Sequence, residues 1–278
     1  MTVRLDGKVV LISGASAGIG AGVARIMAER GARIACISRR ADAARAVGEV
    51  IEAAGAPFLY VQGDVSRRED CDAAVRATLQ RYGRLDVLIN NAANPLPMQR
   101  VENISDDGWR AVLGPTLDGV MQLSRAALGP MRAQSEGVII TVSSIAGEQA
   151  LAHNAAYAAA KAAAMQLMKV IAVENFGSGI RANTVLIGAA YPSEMAGPLM
   201  LEMGRAVRGP DWWPDPQHGG GALGRAMVDP ESLGRAIAVL CSDDAKEING
   251  ATIALDRGFS AGLLTSMALH LGAAQLLP

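Results

Sequence analysis

The 278-residue sequence predicts one large α/β domain, a doubly wound parallel sheet with helices on both faces. Three observations predict it. Seven short β-rich runs are predominantly apolar without strict alternation, alanine-rich helical patterns fill most gaps between them, and the first run opens into a glycine cluster before a helix. Strands covered on both faces need no polar alternation, and parallel neighbours need a crossover, here supplied by the helices. Ligands of such a sheet bind beyond the carboxyl ends of its strands.

The strands are expected over 8–13 (KVVLIS), 33–38 (RIACIS), 57–61 (PFLYV), 86–90 (DVLIN), 137–143 (GVIITVS), 180–186 (IRANTVL) and 251–255 (ATIAL). The helices are expected near 18–30, 41–54, 66–82, 116–133, 155–176 and 229–241. Two stretches break the rhythm. Residues 188–228 form an insert rich in Gly, Pro, Met and Trp, and a long irregular segment in a compact domain reads as a lid. Residues 258–278 form an apolar tail.

The first strand runs into Ser13-Gly14-Ala15-Ser16-Ala17-Gly18-Ile19-Gly20. Glycines let backbone N–H groups approach a pyrophosphate, and a helix N-terminus favours its charge. Gly14, Ser16, Gly18, Ile19 and Gly20 are therefore candidate phosphate contacts, although a tight strand-to-helix turn alone would also use glycines. The second strand ends in Ser38-Arg39-Arg40, where a site selecting NAD would carry Asp or Glu for the ribose 2′-hydroxyl. Two guanidiniums there suit a 2′-phosphate, so NADP(H) is the expected cofactor, with NAD(H) the alternative and a solvated arginine pair the bland reading. Asp64 and Val65 follow the third strand, where a carboxylate can accept from an adenine amino group. Asn91 and Ala92 follow the fourth, at the centre of the sheet.

Composition limits the partners. Half of the residues are hydrophobic, enough for a sizeable core, and a net charge of −1 without a long basic block argues against nucleic acid. The N-terminus has no signal-peptide layout, and no uninterrupted apolar run reaches the roughly 18 residues of a membrane helix. Cys36, Cys71 and Cys241 are scattered, with neither metal-ligand spacing nor a disulfide framework, so no metal and a cytoplasmic location are expected.

The stretch AAYAAAKAAA at 155–164 interrupts the best helix-forming residue with a phenol and an ammonium four positions apart, hence on one helix face. An ammonium beside a phenol favours its ionised form, and the expected result is a lowered Tyr157 pKa and an acid–base group usable near neutrality. The fifth strand ends in Ser143-Ser144, whose second hydroxyl reaches the same place if strand and helix pack side by side. His153 and Asn154, just before Tyr157, are candidate contacts for polar groups of a substrate.

Taken together, SGASAGIG, the DV at 64–65, NNA at 90–92, SSIAG at 143–147, YAAAK at 157–161, IRAN at 180–183 and DPESLGRAIAVLCSDDAKEING at 229–250 resemble the short-chain dehydrogenase/reductase family over almost the whole length. The resemblance implies a Rossmann-type domain of about seven strands and NAD(P)-dependent hydride transfer between a carbonyl and an alcohol. It implies that Ser144 positions the substrate oxygen and that Tyr157 exchanges its proton. Lys161 would hold the nicotinamide ribose, and Tyr157 and Lys161 would both touch the cofactor, as would Gly188 after the sixth strand. Enoyl reductases of the superfamily space Tyr and Lys more widely, whereas Ala164 and Met165 occupy the seventh and eighth places past Tyr157 here. A homo-oligomer, tetramer or dimer, built on the helix at 155–176 and the C-terminal segment is also implied.

Four departures stand out. Ala93 occupies the last place of the family's NNAG. Thr116 aligns with the active-site asparagine whose water passes protons towards the lysine, and is the fourth candidate catalytic residue. Pro115 beside it is expected to break or restart the helix. The family's Pro-Gly becomes Ile187-Gly188, with Pro192 in place of a following threonine, and the late Asp-Gly-Gly becomes Asp256-Arg257-Gly258. The expected function is an NADP(H)-dependent oxidoreductase for a ketone and a secondary alcohol. Met195, Leu199, Met200, Met203, Trp212 and Trp213 of the insert suit a bulky, largely apolar small molecule, or else a core or subunit contact. The rival class is a nucleotide-binding regulatory or scaffold protein of the same fold without turnover.

Overall fold

The computed structural model describes residues 2–95, 98–188, 190 and 227–262. Seven parallel strands form one sheet in the order β3-β2-β1-β4-β5-β6-β7. They are β1 (Val9–Ser13), β2 (Arg33–Ser38), β3 (Phe58–Gln62), β4 (Val87–Asn90), β5 (Gly137–Ser144), β6 (Ile180–Ile187) and β7 (Thr252–Ala254). Each expected strand is present, shifted by a residue or so at its ends. The helices are α1 (Gly18–Glu29), α2 (Ala41–Ala53), α3 (Arg68–Tyr82), α4 (Asp106–Leu113), α5 (Gly119–Gln134), α6 (Ala155–Glu174) and α7 (Pro230–Leu240).

Alternate residues of one strand serve two cores, which is why the strands read as apolar throughout. Val10 and Ile12 of β1 pack with Val23 and Met27 of α1, Ile51 of α2 and Leu233 of α7. Val9 and Leu11 pack on the other face with Ala74 of α3, Leu123 of α5 and Met168 of α6. Cys36, Cys71 and Cys241 are unpaired and buried, and burial pushes their thiols up to about 11, 12 and 12. They are unreactive packing groups.

One expectation about helices is corrected and another is refined. α4 is an additional helix, announced by Ser105, whose hydroxyl accepts from the Gly108 N–H (3.1 Å), and by Asp106 and Asp107 in its first turn. At Pro115 the α-helix is interrupted and restarts, as expected, but without leaving a helical course. Gly114–Asp118 is a π-helical turn that joins α4 to α5, with the Gly119 N–H reaching back to the Gly114 carbonyl. Proline lacks an N–H and crowds the preceding turn; widening that turn by one residue accommodates both problems.

By length and composition α6 would cross a bilayer, but it lies along β5 and β6 with Tyr157, Lys161, Ala164, Met168 and Ile171 buried. Val170, Val173 and Phe176, on or just past α6, are exposed. Only the ends of the insert are described, Gly188, Ala190, Met227 and Val228, and Ala190 pairs with Val228 in a parallel bridge. The six apolar side chains named for the lid and most of the tail, residues 263–278, lie outside the described residues.

Candidate active site

The chain leaves β1 sideways for β2 and β3, then returns to the opposite side for β4. That reversal opens a crevice above the carboxyl ends of β1 and β4, where such sheets bind ligands. The Ser13 hydroxyl at the end of β1 accepts from the N–H groups of Asn91 and Ala92, both at 3.0 Å. The Asn91 amide donates in return to the carbonyls of Ser13 and Gly14, both at 3.1 Å. Asn91 therefore locks the glycine turn to β4.

Three features fit this crevice to a dinucleotide. α1 begins at Gly18 with no side chain capping it and no acidic residue in its first turn, so its leading N–H groups stay available to an anion. A Cβ on Gly20 would stand 2.3 Å from the Gly14 carbonyl oxygen and 2.5 Å from the Asn91 amide nitrogen, so only glycine lets the turn fold this tightly. At the end of β2, the Ser38 hydroxyl is buried and lacks a well-formed hydrogen bond, with the Cys36 thiol as a weak neighbour. An unsatisfied buried hydroxyl beside two arginines suits a polar ribose substituent.

Arg39 reaches Asp64 at 3.8 Å. Burial works against the Asp64 carboxylate, yet hydrogen bonds from the Ser66 N–H (2.9 Å) and hydroxyl (2.7 Å), with Arg39 and Arg67 nearby, hold its pKa below the ordinary value. The exposed pair contributes about 0–1 kcal/mol, so the guanidinium is easily redirected. The other nucleotide candidates divide. Ser16 is buried near the turn; Ile19 packs against the core, leaving its backbone for phosphate; Val65 is a core side chain. Gly188 packs closely against Asp256, whose Cβ would lie 3.0 Å from a Cβ there.

At the other end of the crevice, Ser144, Tyr157 and Lys161 come together where β5 and the turn after it pack on α6. A Cβ on Gly147 would meet the Met165 sulfur at 2.8 Å and the α6 backbone at 3.2 Å, so this glycine seats the loop after β5 directly on the helix. The Lys161 ammonium donates to the Val142 carbonyl at 2.6 Å and lies 5.5 Å from the centroid of the Tyr157 ring. Ser144 accepts from the Ala146 N–H at 3.2 Å.

The expected fall in the Tyr157 pKa is not found. Burial pushes the phenol up to about 12, opposed only by hydrogen bonding to Ser144. Burial also brings Lys161 down to about 8. The ammonium is directed at the Val142 carbonyl, and desolvation dominates both groups. Near neutral pH the site therefore holds a neutral phenol and a mostly protonated amine.

Thr116 is fully buried in the π-helical turn. Its hydroxyl accepts from the Asn94 N–H at 3.1 Å and donates to the Asn94 carbonyl at 3.4 Å. Its donor is thus committed to the strand-end loop, leaving one lone pair for a water. Sequence reasoning missed the groups that receive these bonds: the Ser13 hydroxyl, the Val142 carbonyl and Asn94. Ser13 alone carried a signal, a polar residue closing an apolar strand.

A family model described as enoyl-(acyl carrier protein) reductase matches residues 14–260. Cis-4-hydroxycyclohexanecarboxylate dehydrogenase of Sinomonas cyclohexanicum is 35 % identical, over 91 % of this chain and 97 % of its own length. The 3beta-hydroxysteroid dehydrogenase of Mediterraneibacter gnavus is 31 % identical over 92 % and 96 %. The crystal structure of 3-ketoacyl-(acyl-carrier-protein) reductase from Brucella melitensis, complexed with NADH, has a TM-score of 0.81 and 29 % identity, covering 92 % of this chain and all of that one. The chain belongs to the short-chain dehydrogenase/reductase family. It is accordingly an NAD(P)-dependent oxidoreductase.

Proposed function

We propose that the protein interconverts a ketone and a secondary alcohol on a bulky, largely apolar small molecule, with NADP(H) as preferred cofactor. The observation that carries this reading is the meeting of Ser144, Tyr157 and Lys161 at the crevice. Bound nicotinamide dinucleotide supplies or takes up the hydride. Ser144 and Tyr157 hold the substrate oxygen between two hydroxyls. The neutral phenol is the form that donates, so Tyr157 gives its proton to the oxygen in reduction and recovers one in oxidation. The Lys161 ammonium, anchored on the Val142 carbonyl 5.5 Å from the centre of the Tyr157 ring, would hold the nicotinamide ribose, and Thr116 fixes the backbone of Asn94. A Tyr–Lys spacing of four favours carbonyl over enoyl chemistry, and the cyclic alcohol and steroid named in two relatives support a bulky substrate.

NADP(H) selection rests on Ser38, Arg39 and Arg40 at the end of β2, with no acidic residue among them. Losing a charge-assisted contact costs about 1.5–3 kcal/mol, or roughly tenfold or more in affinity. Wild-type protein should bind NADPH at least about tenfold more tightly than NADH by titration calorimetry, and Arg39→Ala should narrow that gap. Equal dissociation constants in the wild type would refute the preference.

A further inference from the structure

Asn154 stands at the N-cap of α6. An asparagine there ordinarily spends its side-chain oxygen on an N–H of the first turn. This one makes no such bond, and its Oδ1 is buried with no hydrogen-bond partner among the described residues. Buried acceptors without partners are rare in folded proteins. Asn154 immediately precedes the first turn of α6, three residues before Tyr157 in the sequence.

The backbone around this amide is fixed from both sides. The Gln99 N–H donates to the His153 carbonyl at 2.8 Å, Gln99 and Asn154 form a parallel bridge, and the Ala158 N–H bonds to the Asn154 carbonyl at 2.8 Å. His153 itself holds a φ of +65°, a conformation uncommon for a residue with a Cβ. The chain thus accepts an unfavourable backbone and an uncapped helix while keeping one amide oxygen unpaired at the N-terminus of the helix that carries Tyr157.

We propose that Asn154 determines specificity by accepting a hydrogen bond from a second hydroxyl of the substrate, the first oxygen being the one held by Tyr157. The preferred substrate then carries two oxygen functions on an otherwise apolar frame. An amide oxygen calls for an O–H or N–H donor. A hydroxyl is favoured over an ammonium because the latter would be desolvated beside the Lys161 cation. The inference rests on the reading of Tyr157 as the proton-transfer group.

The test compares cyclohexanol with the three positional isomers of cyclohexanediol, measuring equilibrium binding to the protein loaded with oxidised cofactor, and turnover separately. In the wild type at least one diol should bind about tenfold or more tightly than cyclohexanol, since a site built to hydrogen-bond a hydroxyl discriminates against an analogue lacking it. Asn154→Leu should abolish that advantage and leave cyclohexanol binding unchanged, whereas Asn154→Asp, which keeps an acceptor, should retain it. Asn154→Ala reads the same difference if the leucine variant does not fold. Absence of any diol advantage in the wild type, or an equal loss for diol and cyclohexanol in the leucine variant, would overturn the inference. Missing turnover with the binding pattern intact would count against the proton-transfer reading while upholding the Asn154 contact.

Discussion

Replacing Tyr157 by Phe should remove nearly all turnover, a loss of about 10²–10⁴-fold or more from deleting a positioned proton donor. The ring remains, so the packing around it with Val112, Ala146 and Ala156 is preserved. The dissociation constant for NADPH should stay within about twofold and thermal stability should change by only about 1 kcal/mol, because a single hydroxyl hydrogen-bonded to Ser144 is lost. This separation of effects is the diagnostic part. A variant with near-normal turnover would move the chemistry away from Tyr157. One that lost cofactor binding equally would make the residue a structural support.

At the opposite end of the crevice, Gly20→Ala should abolish effective dinucleotide binding. In an ordinary helix the same change stabilises by about 1 kcal/mol. Here the added methyl would stand 2.3 Å from the Gly14 carbonyl oxygen, so α1 or the turn must move. Overpacking of this kind costs typically about 1–3 kcal/mol. Both the turn and the Asn91 amide that braces it are displaced. Cofactor affinity should therefore fall by more than about tenfold and the melting temperature should drop. Unchanged affinity with a raised melting temperature would show that the turn neither is this tight nor holds phosphate.

Most of the fold was legible because its signals are local. Apolar runs such as VVLIS and RIACIS name buried parallel strands without reference to their neighbours. Gly14, Gly18 and Gly20 likewise announce a turn that only glycine permits. What was not legible depends on tertiary context. The π-helical turn at Pro115 joins α4, a helix of only eight residues, to α5, and no local rule at Pro115 predicts that continuity. The sign of the Tyr157 shift was misjudged for a similar reason. Spacing along the helix correctly placed Lys161 beside the ring, but desolvation depends on what covers the helix, and the Val142 carbonyl that receives the ammonium belongs to another element. Thr116 could be singled out as a departure from the family, while its partner Asn94, 22 residues away in sequence, could not.

The central claim is that this crevice reduces ketones with NADPH. Its most direct test is the loss of NADPH absorbance on adding each of a panel of cyclic and polycyclic ketones to the purified protein, with NADH run in parallel. The account predicts ketone-dependent oxidation, with a kcat/KM for NADPH at least about tenfold above that for NADH. NADPH that binds tightly but is oxidised by no ketone in the panel, and no alcohol that reduces NADP⁺ in the reverse direction, would contradict it.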